Sequence, residues 1–263
     1  MHHSDPSRSR GVIYVVTGGR SYLGELMTSI GSLRQFEPDL PVTVFSTFPI
    51  PTRPGVTCIA TDPAENPHKL KVYSLSGSPY EQTLFLDTDT FIRGRLEPLF
   101  EELKDRDFCA ANAHVADYST RPPRFIAMVK PGGYNTGVLL FRNSPATRAF
   151  LREWEAAVRN HDPADMWAGH NGDQHFFNKL LREGALDACG VRWGDLDNAR
   201  WNCRGIAIST LKESGAWADV RILHHRTTSM KLRKLMYSAT DLGTARVIAG
   251  KGWRMATAPF RAA

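Results

Sequence analysis

The sequence predicts a single α/β domain with a mostly parallel central sheet flanked by helices, and three observations carry that prediction. Short runs rich in Val, Ile, Leu and Phe alternate along the chain with segments whose apolar residues recur at helical spacing. One run, Thr83-Leu-Phe-Leu-Asp87-Thr-Asp89-Thr-Phe-Ile92, breaks off into two carboxylates one residue apart, as a buried strand does where it leaves the core of a sheet. A chain of 263 residues with 42% hydrophobic content is long enough to close one sizeable core.

Residues 1–10 read as a disordered leader. Val12-Ile-Tyr-Val-Val16 is a first buried strand that ends at Thr17-Gly-Gly19. Leu23, Leu26, Met27, Ile30 and Leu33 then make one helical stripe, with Ser21 as its expected N-cap, and Pro38 and Pro41 stop that helix before a second strand, Val42 to Phe45. The Thr-Gly-Gly turn fits neither Gly-x-Gly-x-x-Gly nor the Walker pattern, which excludes a Rossmann dinucleotide site or a P-loop. Its glycines instead let a nucleotide lie close to backbone. Tyr22 either offers its ring face to a base or only edges the core.

Val56 to Ala60 is a third strand, and Pro67 to Leu75 a helix carrying Lys69 and Lys71, each either a solvated charge or a partner for a diphosphate. Ser78-Pro-Tyr80 turns the chain into the acidic strand, Leu96 to Phe100 is a short helix, and Asp107 to Ala111 another strand. Tyr118 to Pro131 is a loop of the kind that covers or shapes a site. Tyr134-Asn-Thr-Gly-Val-Leu-Leu-Phe141 is a polar turn opening an apolar strand, and Ser144-Pro145 cap a helix buried through Phe150, Leu151, Trp154 and Val158. In the helix from Asn171 to Leu181, Phe176, Phe177, Leu180 and Leu181 mark the buried face. That leaves Asp173, which a capping role explains, and Gln174, which it does not. Val220 to His225 is the last strand, ending in two histidines with Lys231 six residues beyond.

No apolar run approaches the roughly 20 residues of a membrane-spanning helix, and the first ten residues lack the apolar core of a signal peptide, so the cytoplasm is the expected location. Cys58, Cys109, Cys189 and Cys203 are far apart, which excludes a Cys-x-x-Cys zinc site and a disulfide framework; buried free thiols are expected. From Val220 to Ala263 there are nine Lys or Arg against one acid, Asp241, while the chain as a whole carries +6. Such an end meets phosphates, anionic headgroups or nucleic acid, or is merely a soluble basic surface.

Asp87 and Asp89, as alternate residues of an extended chain, lie on one side and can serve one hard cation whose open positions suit diphosphate oxygens. A solvated turn is the plain alternative. Asp87-Thr-Asp89-Thr90 also fits the nucleophile motif of haloacid-dehalogenase-like phosphatases, although that motif belongs on a first strand and here comes after three. A sugar nucleotidyltransferase on a similar sheet, or a binding protein with an inert site, are the other readings.

In chain order from Val12 to Lys231 these pieces resemble the GT-A fold glycosyltransferases, most closely the family 8 type that includes glycogenin and the bacterial lipooligosaccharide galactosyltransferases. The resemblance implies a GT-A nucleotide-diphospho-sugar transferase domain over 11–235, with a basic tail over 236–263. It implies that Thr17 and Tyr22 hold the nucleotide, that Lys71, or else Lys69, reaches the donor, and that Asp87, Thr88 and Asp89 form the Asp-x-Asp segment. Asn135, Thr136 and Gly137 resemble the segment lining the donor-sugar pocket, and Asp173-Gln174, with Asn178, resembles the Asp-Gln helix start near the anomeric carbon. His225 to Lys231 is similar to the closing His-x-x-Gly-x-x-Lys-Pro-Trp, in which His completes the metal shell and Lys grips the diphosphate; here Thr228, Leu232 and Arg233 replace Gly, Pro and Trp. His224 is the fallback ligand. The activity implied by the resemblance is transfer of a hexose from a nucleotide sugar, with UDP favoured, to a glycan, lipid-linked or other acceptor. By the same resemblance, transfer retains the anomeric configuration, uses Mn²⁺ or Mg²⁺, and involves no nucleic acid. The basic end would hold the enzyme peripherally at the inner face of the membrane.

Overall fold

The computed structural model describes residues 9–17, 20–62, 67–112, 133–160 and 172–224. The expected leader, the tail, the loop Tyr118 to Pro131, and both His225 and Lys231 lie outside them.

Strands β1 (Arg10–Val16), β2 (Val42–Ser46), β3 (Val56–Ala60) and β4 (Gln82–Leu86) alternate with helices α1 (Arg20–Phe36) and α2 (Pro67–Ser76). Then come β5 (Thr90–Ile92), the short α3 (Glu97–Phe100), β6 (Phe108–Asn112), β7 (Tyr134–Arg142), α4 (Pro145–Arg159), α5 (Asp173–Arg182) and α6 (Ala185–Ala188). The described chain closes with β8 (Trp193–Leu196), α7 (Asn198–Trp201), β9 (Cys203–Arg204), α8 (Ile208–Glu213) and β10 (Ile222–His224).

Seven strands form the main sheet in the order β3-β2-β1-β4-β7-β6-β8. Its pairs are parallel except that β7 runs antiparallel to both β4 and β6. Successive residues of a strand face opposite sides, so Val12, Tyr14, Leu84, Leu86, Val138 and Leu140 meet Leu26, Met27, Ile30 and Leu33 of α1. Ile13, Phe85, Leu139 and Phe141 meet Val72 and Leu75 of α2, Phe150 and Trp154 of α4, and Phe176 and Phe177 of α5. Burial on both faces is why these strands read as unbroken apolar runs. Each fully buried Leu or Phe stabilises the fold by about 1.5–3 kcal/mol before packing losses.

A second sheet, β5-β10-β9, sits over its own small core of Phe91, Cys203, Ile208, Trp217, Val220 and Leu223. It divides the apolar run Thr83 to Ile92 in two. Residues 87–89 form a turn between β4 and β5, which corrects the expectation that the two acids share one extended face. Two caps also differ from expectation. Helix α1 begins at Arg20, ahead of Ser21, and Gly172 rather than Asp173 is the N-cap of α5. Ser144 does cap α4, its side chain accepting from the Thr147 amide. Of the four free cysteines, Cys109 and Cys203 are buried and Cys58 is exposed. Among the described residues no helix is long and apolar enough to cross a membrane.

Candidate active site

Open α/β sheets gather ligands outside the carboxyl ends of their parallel strands. At the end of β4 the chain turns sharply, and the turn is pinned from below by a line of buried hydroxyls. Tyr14 and Ser29 oxygens lie 2.9 Å apart, Ser29 and Thr90 2.8 Å apart, and Thr90 Oγ1 donates to the Asp87 carbonyl at 2.9 Å. Burial pushes the Tyr14 hydroxyl up, so it stays protonated. The Ile92 amide donates to Ser32 Oγ at 2.9 Å, tying the far side of the turn to α1 as well.

β7 approaches the same turn from the opposite direction. Its register with β6 slips between Ala110 and Ala111, whose partners jump from Leu139 to Asn135. Such irregularities re-aim side chains beside functional sites, and here the segment set free is Thr136 to Val138. The Asp87 amide donates to the Gly137 carbonyl at 2.8 Å, the Gly137 amide to Asn135 Oδ1 at 2.9 Å, and Asn135 Nδ2 to Gln174 Oε1 at 3.0 Å. Asn178 clamps α5 to β7, accepting from the Tyr134 amide at 2.6 Å and donating to the Tyr134 carbonyl at 2.9 Å.

Lys71, projecting from α2, sits between two carboxylates: Asp173 Oδ2 at 2.8 Å and Asp87 Oδ1 at 3.3 Å. Its ammonium also donates to Thr136 Oγ1 at 3.2 Å, and that hydroxyl in turn donates to Asp173 at 2.7 Å. Burial alone would push Lys71 down, but Asp173 and Asp87 outweigh it and the pKa ends above its ordinary value. The Asp87 carboxyl is pushed up by burial, lowered again in part by Lys71, and raised further by Asp89. Its side chain keeps 40% of its surface exposed.

The third element is β10. Its antiparallel pairing with β5 sets His224 opposite Thr90, which brings His224 Nδ1 to 3.2 Å from Asp89 Oδ1. One ligand atom each from Asp87, Asp89 and His224 lie within 4.8 Å of one another. Two carboxylates and an imidazole are a donor set that a divalent ion accepting oxygen and nitrogen fits. The burial and the neighbouring carboxylate that raise Asp87 are both what such a cation would offset.

Of the residues expected at the site, Lys71, Asp87, Asp89, Asn135, Thr136, Gly137, Asp173 and Gln174 converge here, with His224 supplying the imidazole. Thr17 and Tyr22 come after β1, whose parallel pairing with β4 puts them on the same edge of the sheet; Tyr22 is half-buried against the α1 core. Thr88 Oγ1 donates to Glu25 Oε2 at 3.4 Å, an acid of α1 that the sequence did not single out. It is Lys71 rather than Lys69 that meets the acids, and Lys69 is half-buried on α2. Trp154 read in the sequence only as core, yet its Nε1 donates to the Asp173 carbonyl at 3.1 Å; sequence reasoning passed over Asn202, whose Oδ1 lies 2.7 Å from His224 Nε2.

A mixed seven-stranded sheet flanked by helices, with this chain's acids, lysine and imidazole gathered at the end of β4, has the GT-A fold. The chain belongs to the nucleotide-diphospho-sugar transferase family, whose sequence profile matches residues 82–235. Among solved structures it is similar to the glycosyltransferase GlyE of Streptococcus pneumoniae TIGR4, with 16% identity and a TM-score of 0.59 over 97% of this chain and 66% of that one. It is also similar to the galactosyltransferase LgtC in complex with donor and acceptor sugar analogs, with 14% identity and a TM-score of 0.57 over 94% of this chain and 99% of that one. Mouse xyloside xylosyltransferase 1 matches at 15% identity and a TM-score of 0.52, over 83% and 98% of the two chains. Likeness at such identities establishes the fold. No curated protein sequence matches the chain. The phosphatase and nucleotidyltransferase readings gain nothing from these comparisons.

Proposed function

We propose that this protein is a divalent-cation-dependent glycosyltransferase that moves a hexose from a nucleoside-diphosphate sugar to a glycan, lipid-linked or other acceptor. The single observation that carries the reading is the meeting of Asp87, Asp89 and His224 beside the Lys71–Asp173 pair, at the edge of the sheet where a nucleotide sugar is expected. Asp87, Asp89 and His224 would hold Mn²⁺ or Mg²⁺, which when bound neutralises charge on the diphosphate as the leaving oxygen forms. Thr17 and Tyr22 hold the nucleotide, and Thr88 stands between the acids. Lys231, beyond the described residues, is the second cation for the diphosphate.

Asn135 and Gln174 face the sugar. With its Oε1 held by Asn135, Gln174 has its amide NH₂ to offer to the reacting face. Asp173 is occupied by Lys71 and Thr136, so it acts by fixing that face rather than as a free nucleophile. UDP as the nucleotide and retention of configuration rest on the family resemblance. The catalytic domain is taken as 11–235. The basic segment 236–263 gives the chain a means of approaching an anionic acceptor surface, which liposome co-sedimentation at low and high salt would check.

The test is a thermal-shift titration of UDP- and GDP-sugars with and without Mn²⁺, because a ligand that binds only the native state raises its melting point. A cation-dependent shift, then slow donor hydrolysis that disappears in Asp89→Ala, is expected. If no nucleotide sugar stabilises the protein in Mn²⁺, or if Asp89→Ala hydrolyses donor as the wild type does, the proposal fails.

A further inference from the structure

Asn202 stands immediately after α7 and is fully buried. Its backbone is held on both sides. Its amide bonds to the Asn198 carbonyl at 3.0 Å, and the next residue, Cys203, opens β9, which runs parallel to β10 with Cys203 opposite Leu223 and Arg204 opposite His224. Trp201, buried in the main core, anchors the preceding turn. The result is that Asn202 Oδ1 meets His224 Nε2 at 2.7 Å, on the side of the ring away from Asp89.

An amide oxygen only accepts hydrogen bonds, so the ring nitrogen facing it carries a proton. In a neutral imidazole the other nitrogen, Nδ1, then keeps its lone pair, and Nδ1 is the atom lying 3.2 Å from Asp89 Oδ1. Nδ1 faces Asp89, and its lone pair would go to a cation held among Asp87, Asp89 and His224; with no cation there, only a proton on Nδ1 makes its approach to the Asp89 carboxylate favourable. A second observation argues that this placement is not merely structural. Asn202 Nδ2 is buried without a hydrogen-bond partner among the described residues. Burying an unsatisfied amide is costly, and an apolar residue of similar size would fill the space without that cost.

We infer that Asn202 is a positioning residue for the cation site: its Oδ1 fixes His224 in the Nε2–H tautomer and turns Nδ1 towards the ion. The inference rests on the proposed cation site of Asp87, Asp89 and His224. Partners of this kind set the orientation and basicity of a ligating histidine, and losing one typically weakens metal affinity about 10–100-fold.

Two measurements test it. In protein saturated with diamagnetic Mg²⁺, long-range ¹H–¹⁵N correlation, with the His224 signal assigned by its loss in His224→Gln, is expected to show the Nε2–H tautomer. An Nδ1–H tautomer overturns the inference. Calorimetric titration with Mn²⁺ is expected to show a drop of about 10-fold or more for Asn202→Leu, which matches the size of Asn but cannot accept. Asn202→Asp, which keeps an acceptor oxygen, should bind close to the wild type. Wild-type protein that binds no Mn²⁺ overturns the cation site and this role together. Wild type that binds, with a folded Asn202→Leu binding equally well, overturns the role of Asn202 alone. If Asn202→Leu does not fold, the tautomer in the wild type and the affinity of Asn202→Asp decide.

Discussion

Gly137 is the position where one methyl group should do most damage. A Cβ built there would stand 2.6 Å from His224 Cε1, 2.8 Å from Asp87 Oδ2 and 2.9 Å from Asn135 Oδ1. Carbon atoms in contact sit at about 3.5–4.0 Å, so the imidazole would have to withdraw by about 0.9 Å or more. None of the three neighbours is loose. His224 is bonded to Asn202, Asp87 to Lys71, and Asn135 to both the Gly137 amide and Gln174. Gly137→Ala should therefore cost about 1–3 kcal/mol, as overpacked sites do. A domain of this size loses about 2–4 °C of melting temperature per kcal/mol. Moving the imidazole by about 1 Å should also lower kcat/KM of cation-dependent donor turnover by roughly 100-fold, the usual penalty for misplacement on that scale. Differential scanning fluorimetry and donor hydrolysis across a Mn²⁺ series measure the two effects. A Gly137→Ala protein with both the melting point and the Mn²⁺ dependence of the wild type would refute the close packing of these side chains.

Three further outcomes are expected. Lys71→Met leaves Asp173 buried without its cation; both side chains are about one-tenth exposed, at 11% and 10%. Urea unfolding should show a loss of about 3–5 kcal/mol, largely recovered by adding Asp173→Asn, and an unchanged midpoint would count against the pair. Asp107 is held below the ordinary carboxylate range by its hydrogen bonds to Arg192, so the pair contributes above pH ~3.9 and its contribution is lost as pH falls from there through the depressed value. Because the Arg192 side chain is 63% exposed, solvent screens the pair and its effect at neutral pH is small. The melting-temperature gap between wild type and Asp107→Asn should close on acidification below pH ~4, and a gap that widens would reverse the sign of the argument. Ser144→Ala removes the side chain that accepts from the Thr147 amide at 3.1 Å and should cost about 1 kcal/mol, with Ser144→Asp restoring most of it; equal denaturation curves for all three would deny the cap.

Much of the main sheet was legible because its inner strands are buried on both faces. Val12 to Val16 and Val138 to Phe141 have no polar interruption for the eye to misread, and the stripe of α1 shows directly which of its residues meet the sheet. β8 was missed because Trp-Gly-Asp-Leu lies half-exposed at the sheet edge and has neither an apolar run nor alternation. The small sheet was not foreseen as a separate sheet, although Val220 to His225 did read as a strand. β5, β9 and β10 are three, two and three residues long, and their pairing with residues distant in sequence is something local pattern cannot register. The same limit governed the site. Asp87 and Asp89 were visible as a pair, but the turn that shapes them depends on hydroxyls from β1 and α1. Asp173 looked like a cap because an acid at a helix start usually is one; the neighbouring glycine took that place and left the carboxylate to Lys71. Two adjacent histidines offer both faces of a strand, and the pairing of His224 with Thr90 is what brings its ring to Asp89. Asn202 carried no signal at all, being one asparagine among loops until β9 delivers it to the ring.

Asp89 and His224 are 135 positions apart, and the strands that unite them are among the shortest in the molecule. Closing so large a loop costs entropy before any contact repays it. An intermediate in which the large sheet has condensed but the three-stranded annex has not would possess most of the core and lack the proposed cation pocket. Refolding monitored by Trp fluorescence should therefore finish ahead of the recovery of Mn²⁺ affinity, and the cation, by binding only the finished arrangement, would act as a latch on the last step of assembly.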